Sequence, residues 1–433
     1  CRRDRLLKFT REFILFEGPH KVIARFQQFD AVRKTLKRVE SQSEQRGGVI
    51  WHTQGSGKSL TMVMLARALI NNSSLNDARI VLVTDRIDLD KQIKGTFKNI
   101  GMDPKRPSTG KGLINLIKDR QAGVITTIIH KFEAVAREKV KDDSSNIFVL
   151  VDEGHRSQYG QFNAQMRRVF PNATFIAFTG TPIAKSKKNT MSEFGPIIDT
   201  YTMRDAVTDG AVVPLIYEGR LVKPEMDAKS LDTWFERLTV GLNDAEKADL
   251  KRKHARANML SGLDKVIACR AFDISEHFRA NYQGTGLKAQ LVAPNKAAAV
   301  KYKEHLDAIG HVTSEVLISP PDTREGHERV EESKPADAVV GFWGEMMARW
   351  GNEEKYQEGL ISQFKHSDEP EILIVVEKLL TGFDAPRNTV LYLTTRLVEH
   401  TLLQAIARVN RVLDTEGEGY TTDKDNGYIV LNA

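Results

Sequence analysis

The chain has 433 residues, 41% of them hydrophobic and 28% charged, with a formal net charge of +6. That length exceeds one ordinary core and suits two, in the balance of a soluble globular protein, and neither a membrane span nor a targeting leader is expected. Two cysteines, Cys1 and Cys269, argue against a disulfide framework and set a reducing cytoplasm as the default, while the mildly basic balance permits a polyanionic partner without demanding one.

The chain opens with "CRRDRLLKF" and no methionine, so the expectation is a piece of something longer. Short apolar runs then recur, each followed by small or polar residues and a helical pattern. The first is "GGVIW" (47–51), which leads into "HTQGSGKS" and the helix-like "SLTMVMLARALINN". After it come "RIVLVTD" (79–85), "GVITTII" (123–129), "IFVLVDE" (147–153) and "TFIAFTG" (174–180). Runs apolar on every side are the mark of central strands in a parallel sheet with helices on both faces. From about Asp205 to Gly286 the pattern is charged and helical, a linker plus helical insertion. The strand grammar restarts with "AQLVAPN" (289–295), "EVLIS" (315–319), "EILIVVEKLLTGFD" (371–384) and "VLYLTT" (390–395). The expectation is two doubly wound α/β domains, residues 1–215 and 216–433, with the helical insertion at about 225–285.

"TQGSGKS" supplies Gly55 and Gly57 for a turn whose inward N–H groups cradle phosphate at the start of a helix. Lys58 would reach the β/γ-phosphates and the Ser59 hydroxyl would ligate Mg2+. His52 stands where the general G-x-x-x-x-G-K-[ST] pattern has its first glycine. A flexible turn with a surface lysine is the bland alternative, and the strand before and helix after argue against it. At the end of "IFVLVDE", Asp152 can hold the metal and its neighbour Glu153 can position or deprotonate water. In "HTLLQAIARVNR", Gln404, Arg408 and Arg411 are spaced to share one helix face, and the interleaved Leu402, Leu403, Ala405, Ile406, Ala407 and Val409 are apolar. A solvated stripe is the ordinary reading of such a face; on a packed helix an arginine finger is the sharper one. The 11 histidines show no metal-ligand spacing and no nuclease signature is present.

Together these segments resemble the two-RecA-domain motors of helicase superfamily 2, and most closely the restriction (motor) subunit of type I restriction–modification enzymes. The resemblance rests on "RFQQFDAV" (25–32), "WHTQGSGKSLTM" (51–62), "VTDRIDLDKQI" (83–93), "TTIIHKF" (126–132), "VDEGHRSQYG" (151–160) and "FTGTPI" (178–183). It continues in "GFWGEMM" (341–347), "ILIVVEKLLTGFDAPRNTVLYL" (372–393) and "EHTLLQAIARVNR" (399–411).

The resemblance implies two RecA-like domains with ATP and Mg2+ between them. It implies that Arg25 and Gln28 recognise adenine, and that Thr53, Gly55, Ser56, Gly57, Lys58 and Ser59 form the phosphate loop. Asp152 and Glu153 would hold the metal and activate water, and His155, Thr179 and Thr181 would couple that pair to the neighbouring domain. Gly382 and Asp384, with Thr381, resemble the loop facing nucleotide and DNA; Gln404, Arg408 and Arg411 resemble the γ-phosphate sensor and arginine fingers. Expected DNA contacts are Thr84, Arg86, Thr126, Thr127, Lys131 and Thr381, addressing phosphates rather than bases. Gly154 and Ala407 depart from the usual alanine and glycine without removing a functional group.

The resemblance further implies an ATP-dependent translocase on double-stranded DNA, working with modification (methyltransferase) and specificity subunits. Residues 1–20 would be the tail of a preceding linker or nuclease region. The alternatives are a strand-separating superfamily 2 helicase of DNA or RNA, and a nucleotide-dependent switch that hydrolyses little.

Overall fold

A computed structural model of the chain divides into two compact units, Cys1–Ala211 and Val212–Ala433. It describes all residues except 1, 18–19, 42–44, 76, 85–95, 99–101, 120–122, 153–158, 181–183, 186–187, 221–261, 322–336, 377–384, 396, 398, 414–423 and 433.

The first unit begins with α1 (Arg3–Glu12) and an antiparallel hairpin of β1 (Ile14–Glu17) and β2 (His20–Ile23), followed by α2 (Phe26–Glu40). The α/β repeat starts with β3 (Gly48–His52) and α3 (Lys58–Ile70). It runs on through β4 (Arg79–Thr84), α4 (Gly110–Asp119), β5 (Val124–Ile128), α5 (Phe132–Arg137), β6 (Ile147–Asp152), α6 (Tyr159–Val169) and β7 (Thr174–Thr179). A two-stranded ribbon, β8 (Ala184–Lys185) with β9 (Lys188–Asn189), leads to α7 (Thr190–Phe194), β10 (Ile197–Tyr201) and α8 (Met203–Thr208). The main sheet is parallel throughout, in the order β10-β3-β7-β6-β4-β5.

Alternate residues of each inner strand enter opposite cores. Ile80 and Leu82, Phe148 and Leu150, and Ile176 and Phe178 pack with the α2 and α3 side. Val81 and Val83, Val149 and Val151, and Phe175 and Ala177 pack with α4, α5 and α6. Burial on both faces is why these strands read as unbroken apolar runs. The helix α3 is nearly apolar all round because it is covered all round, with Thr61 to Leu69 buried apart from Arg67.

The second unit repeats the plan with β11 (Leu215–Arg220), α9 (Gly262–Asn281), β12 (Lys288–Val292), α10 (Lys296–Ile309), β13 (Ser314–Leu317), α11 (Asp337–Trp350), α12 (Glu353–His366), β14 (Ile372–Val375), β15 (Asn388–Leu393), α13 (Glu399–Ile406) and β16 (Gly427–Asn432). Its sheet is also parallel, in the order β11-β16-β15-β12-β14-β13, with cores on both faces. The architecture is therefore two RecA-like α/β sheets in tandem. Of the expected helical insertion, residues 221–261 lie outside the described residues. Its last part, α9, buries Ile267, Ala271, Ile274 and Phe278 at helical spacing against the second sheet, so it serves as a covering helix of that layer. Among the described residues, no helix is long and apolar enough to cross a membrane.

Candidate nucleotide site

In the first sheet every strand ends at the same edge, the place where open α/β sheets bind ligands. Register puts Trp51 beside Thr179 and Asp152 beside Phe178, so β3, β7 and β6 finish side by side. From the end of β3 the chain turns through Thr53, Gln54, Gly55, Ser56 and Gly57 into α3. Gly55 (φ 86°) and Gly57 (φ 85°) take left-handed conformations that other residues adopt only at a cost. The Ser56 hydroxyl donates to the Thr53 carbonyl at 2.7 Å and closes the turn. The first N–H groups of α3 then face the loop's mouth, a positive end suited to an anion.

Lys58 is buried, at 9% exposure, and its ammonium donates to the carbonyls of His52 (3.3 Å) and Thr53 (3.5 Å). A side chain at Gly180 would place its Cβ 3.4 Å from the Lys58 Nζ and from the Gln54 N–H. That is ordinary contact distance, so Gly180 lies directly beside the ammonium. Trp51 donates to the Gly180 carbonyl at 3.2 Å and holds the end of β7 against the loop. Asp152 closes β6 and is buried; Ser59, one residue into α3, is half-buried. A carboxylate at the end of β6 and a hydroxyl in the first turn of α3 are the oxygen donors that Mg2+ prefers, so the residues present fit that ion.

The helix α2 is tied to the loop. The side chain of Gln28 accepts from the Arg25 N–H (2.9 Å) and donates to the Gly57 carbonyl (3.1 Å). That carbonyl also accepts from the Thr61 N–H and hydroxyl, each at 3.1 Å. Beside the loop, Thr53 donates its N–H to the Tyr201 carbonyl at 2.8 Å, and its hydroxyl lies 3.9 Å from the Met203 sulfur. The Tyr201 ring is buried, edge-on to an exposed Phe26 with 6.1 Å between ring centroids, and burial pushes its phenol up to about 12. Sequence reasoning missed Asp199, Tyr201 and Met203. The signal was an aspartate inside the strand-like "PIIDTY", which follows the last strand counted in that half.

Other expected residues fall differently. Glu153, His155, Thr181, Arg86, Thr381, Gly382 and Asp384 lie outside the described residues. Thr179 ends β7, fully buried. Thr84, Thr126 and Thr127 are buried strand residues at 1% exposure or less, so the expected contact of their hydroxyls with DNA phosphate is corrected: they pack within the sheet. Lys131 follows β5 and donates to the Pro107 carbonyl at 2.5 Å.

The face shared by Gln404, Arg408 and Arg411 is corrected as well. The α-helix α13 ends at Ile406, and the Arg408 and Val409 N–H groups bond three residues back. The carbonyl of Asn410 accepts from the Val213 N–H at 2.8 Å, and that of Val409 packs where a Cβ on Gly427 would stand 2.4 Å away. These carbonyls have left the helix direction, so Gln404 lies on the helix, Arg408 in the tightened turn and Arg411 beyond it. Arg408 is buried and Arg411 half-buried. A separate cleft of about 1080 Å³ opens at the amino-terminal edge of the second sheet, between Gly286, Thr313, Glu371 and Arg387; Gln404, Arg408 and Arg411 do not line it.

Comparison with known proteins is consistent with this geometry. Residues 27–248 match the SWI2/SNF2 ATPase family, and residues 295–431 match type I restriction enzyme subunit R domain 3. A putative type I restriction enzyme MjaIXP endonuclease subunit of Methanocaldococcus jannaschii is 31% identical over 98% of this chain and 40% of its own length. The type I restriction enzyme HindI endonuclease subunit of Haemophilus influenzae is 31% identical over 99% of this chain and 41% of its own. The chain thus spans about two fifths of the length of these relatives. Among solved structures, a fragment of a putative HsdR subunit of a type I restriction enzyme from Vibrio vulnificus YJ016 shares the fold, with a TM-score of 0.61 at 16% identity over 100% of this chain and 67% of that one. The type ISP restriction-modification enzyme LlaBIII bound to DNA gives 0.60 at 14% identity over 96% of this chain and 29% of that one.

Proposed function

The chain belongs to the SWI2/SNF2 ATPase family, among the restriction (R) subunits of type I restriction enzymes, and from that premise we propose that it is the ATP-driven motor portion of such a subunit, moving along double-stranded DNA. Arg25 and Gln28 meet the adenine at the head of α2. The N–H groups of Gly55 to Ser59 enclose the β- and γ-phosphates, and Lys58 reaches their oxygens. Ser59 and Asp152 hold Mg2+, which neutralises charge on those phosphates when bound. Glu153 takes the proton of the attacking water. Arg408 and Arg411, with Gln404, neutralise the charge that grows as the bond between the γ-phosphorus and the β–γ bridging oxygen breaks. His155, Thr179 and Thr181 pass the change to the track.

The observation that carries this reading is the phosphate loop whose lysine, glycines and following helix share one sheet edge with Asp152. The track would be met by Arg86, Lys131 and Thr381, which would address backbone phosphates without reading sequence. Modification (methyltransferase) and specificity subunits would be the partners, in the cytoplasm. The test is the ATPase rate with and without duplex DNA, beside displacement of a third strand from an intact duplex. Duplex-stimulated turnover with third-strand displacement is expected. Efficient separation of a blunt duplex without third-strand displacement would favour the helicase instead, and turnover indifferent to DNA would point to a nucleotide switch.

A further inference from the structure

His52 takes the place of a glycine in the general phosphate-loop pattern and has no part in the chemistry above. It closes β3 with 0% of its surface exposed. Its Nε2 lies 2.6 Å from one carboxylate oxygen of Asp199 on the neighbouring edge strand β10, and the other oxygen of Asp199 takes the ammonium of Lys34 from α2. Burial pushes the Asp199 carboxyl up, but the hydrogen bonds from His52 and Lys34 outweigh it and hold the group below the usual carboxylate range. The ring of Tyr201, also on β10, lies 5.8 Å from the imidazole. The Nδ1 of His52 is buried without a hydrogen-bond partner. A merely packed position would be served better by apolar side chains, since a buried unpaired polar atom is costly.

The carbonyl of His52 is one of the two on which the Lys58 ammonium rests. The residue that anchors the strand end to β10 and α2 therefore also orients the peptide that seats the phosphate-binding lysine. Gln28, from the first turn of the same α2, holds the far end of the loop through Gly57. One helix thus grips the loop at both ends, once directly and once through Asp199 and His52. Glycine at position 52 would have no ring with which to make the second grip.

We propose that the buried chain Lys34–Asp199–His52 is a positioning device for the nucleotide reaction, fixing the entrance of the phosphate loop and with it the placement of Lys58. The proposal rests on the nucleotide reading above and names a role for residues outside the loop's own chemistry. His52 acts through its peptide and through Lys58, so it is a positioning residue and touches no reacting atom. Its loss should weaken seating of the triphosphate and leave the breakdown of seated ATP unaffected.

The test measures ATP turnover of the full chain with duplex DNA, together with the nucleotide-free unfolding midpoint, for His52→Ala, His52→Gln, Asp199→Ala and Asp199→Asn. For His52→Ala and Asp199→Ala the KM for ATP should rise at least about tenfold, with kcat within about twofold. Glutamine can carry its amide nitrogen to the place of Nε2 and donate to Asp199, so His52→Gln should recover most of the wild-type KM. Asp199→Asn keeps an acceptor for His52 and should be milder than Asp199→Ala. The two alanine changes together should be no worse than either alone, because they break one chain. If an alanine variant does not fold, the glutamine and asparagine variants carry the comparison. An unchanged KM, a fall in kcat at constant KM, or a His52→Gln variant as impaired as His52→Ala would overturn the positioning role. Failure of the unmodified chain to turn over ATP would instead overturn the nucleotide reading itself, and the positioning role with it.

Discussion

At the scale of single residues the site is held by unlike devices with one purpose. Gly55 and Gly57 supply backbone shapes, Gln28 and Ser56 satisfy polar groups, and Lys58 supplies charge. Replacing Lys58 with alanine should abolish ATP turnover, because the β- and γ-phosphates lose the cation that neutralises them. A phosphate-release assay with duplex DNA checks this, and retained turnover would place the reaction elsewhere. Most of this chemistry was legible in "HTQGSGKS", since glycine, lysine and serine at that spacing have few other uses between a strand and a helix. The role of His52 was not legible, because it depends on Asp199 some 147 residues away, and only strand pairing brings the two together. Thr84, Thr126 and Thr127 show the opposite error. A threonine in a strand reads equally well as a ligand to phosphate or as a β-former, and burial alone separates the two.

At the scale of elements, the inner strands β4, β6, β7, β12 and β15 were evident because a strand covered on both faces has no polar alternation to confuse it. The edge strands β10 and β11 escaped because half-exposed edges carry mixed residues, as in the pattern of Leu215–Arg220. The strand β16 carries a buried apolar core in Ile429 and Val430, yet it stands alone after the last motif and had no neighbour to suggest its pairing. The early end of α13 was hidden for a related reason. Helical spacing in "LLQAIARVNR" persists beyond Ile406, whereas the chain is turned aside by contacts with Val213 and Gly427. Gly427→Ala should therefore destabilise the second unit by roughly 2–3 kcal/mol, since its Cβ would meet the backbone of Val409 and nothing flexible could yield. Chemical denaturation would measure it, and a change within about 0.5 kcal/mol, ordinary for a surface site, would mean that the two segments separate easily.

At the scale of the whole molecule, the tandem plan was visible because the same strand-and-helix grammar occurs twice, and each unit has its own two-faced core. The proposed motor would have both units act on one nucleotide, and the proposal gives Arg411 that task. Arg411→Ala should leave ATP affinity near normal and lower turnover by about 10³-fold, the scale of a lost arginine finger. Equilibrium binding of a fluorescent ATP analogue beside steady-state turnover separates the two effects; weakened binding at unchanged kcat would assign Arg411 to another task. Because Arg411 stands beyond the helix rather than on it, its position follows from the turn at Arg408–Asn410, which the contacts with Val213 and Gly427 hold, rather than from a helix face.

The seat of Lys58 has a consequence for the loop's shape. Its ammonium lies on the carbonyls of His52 and Thr53, so the cation is also a brace that ties the first residue of the helix back to the end of the strand. Taking the lysine away would therefore remove a fastening as well as a charge, and a cation supplied from elsewhere would not restore the loop.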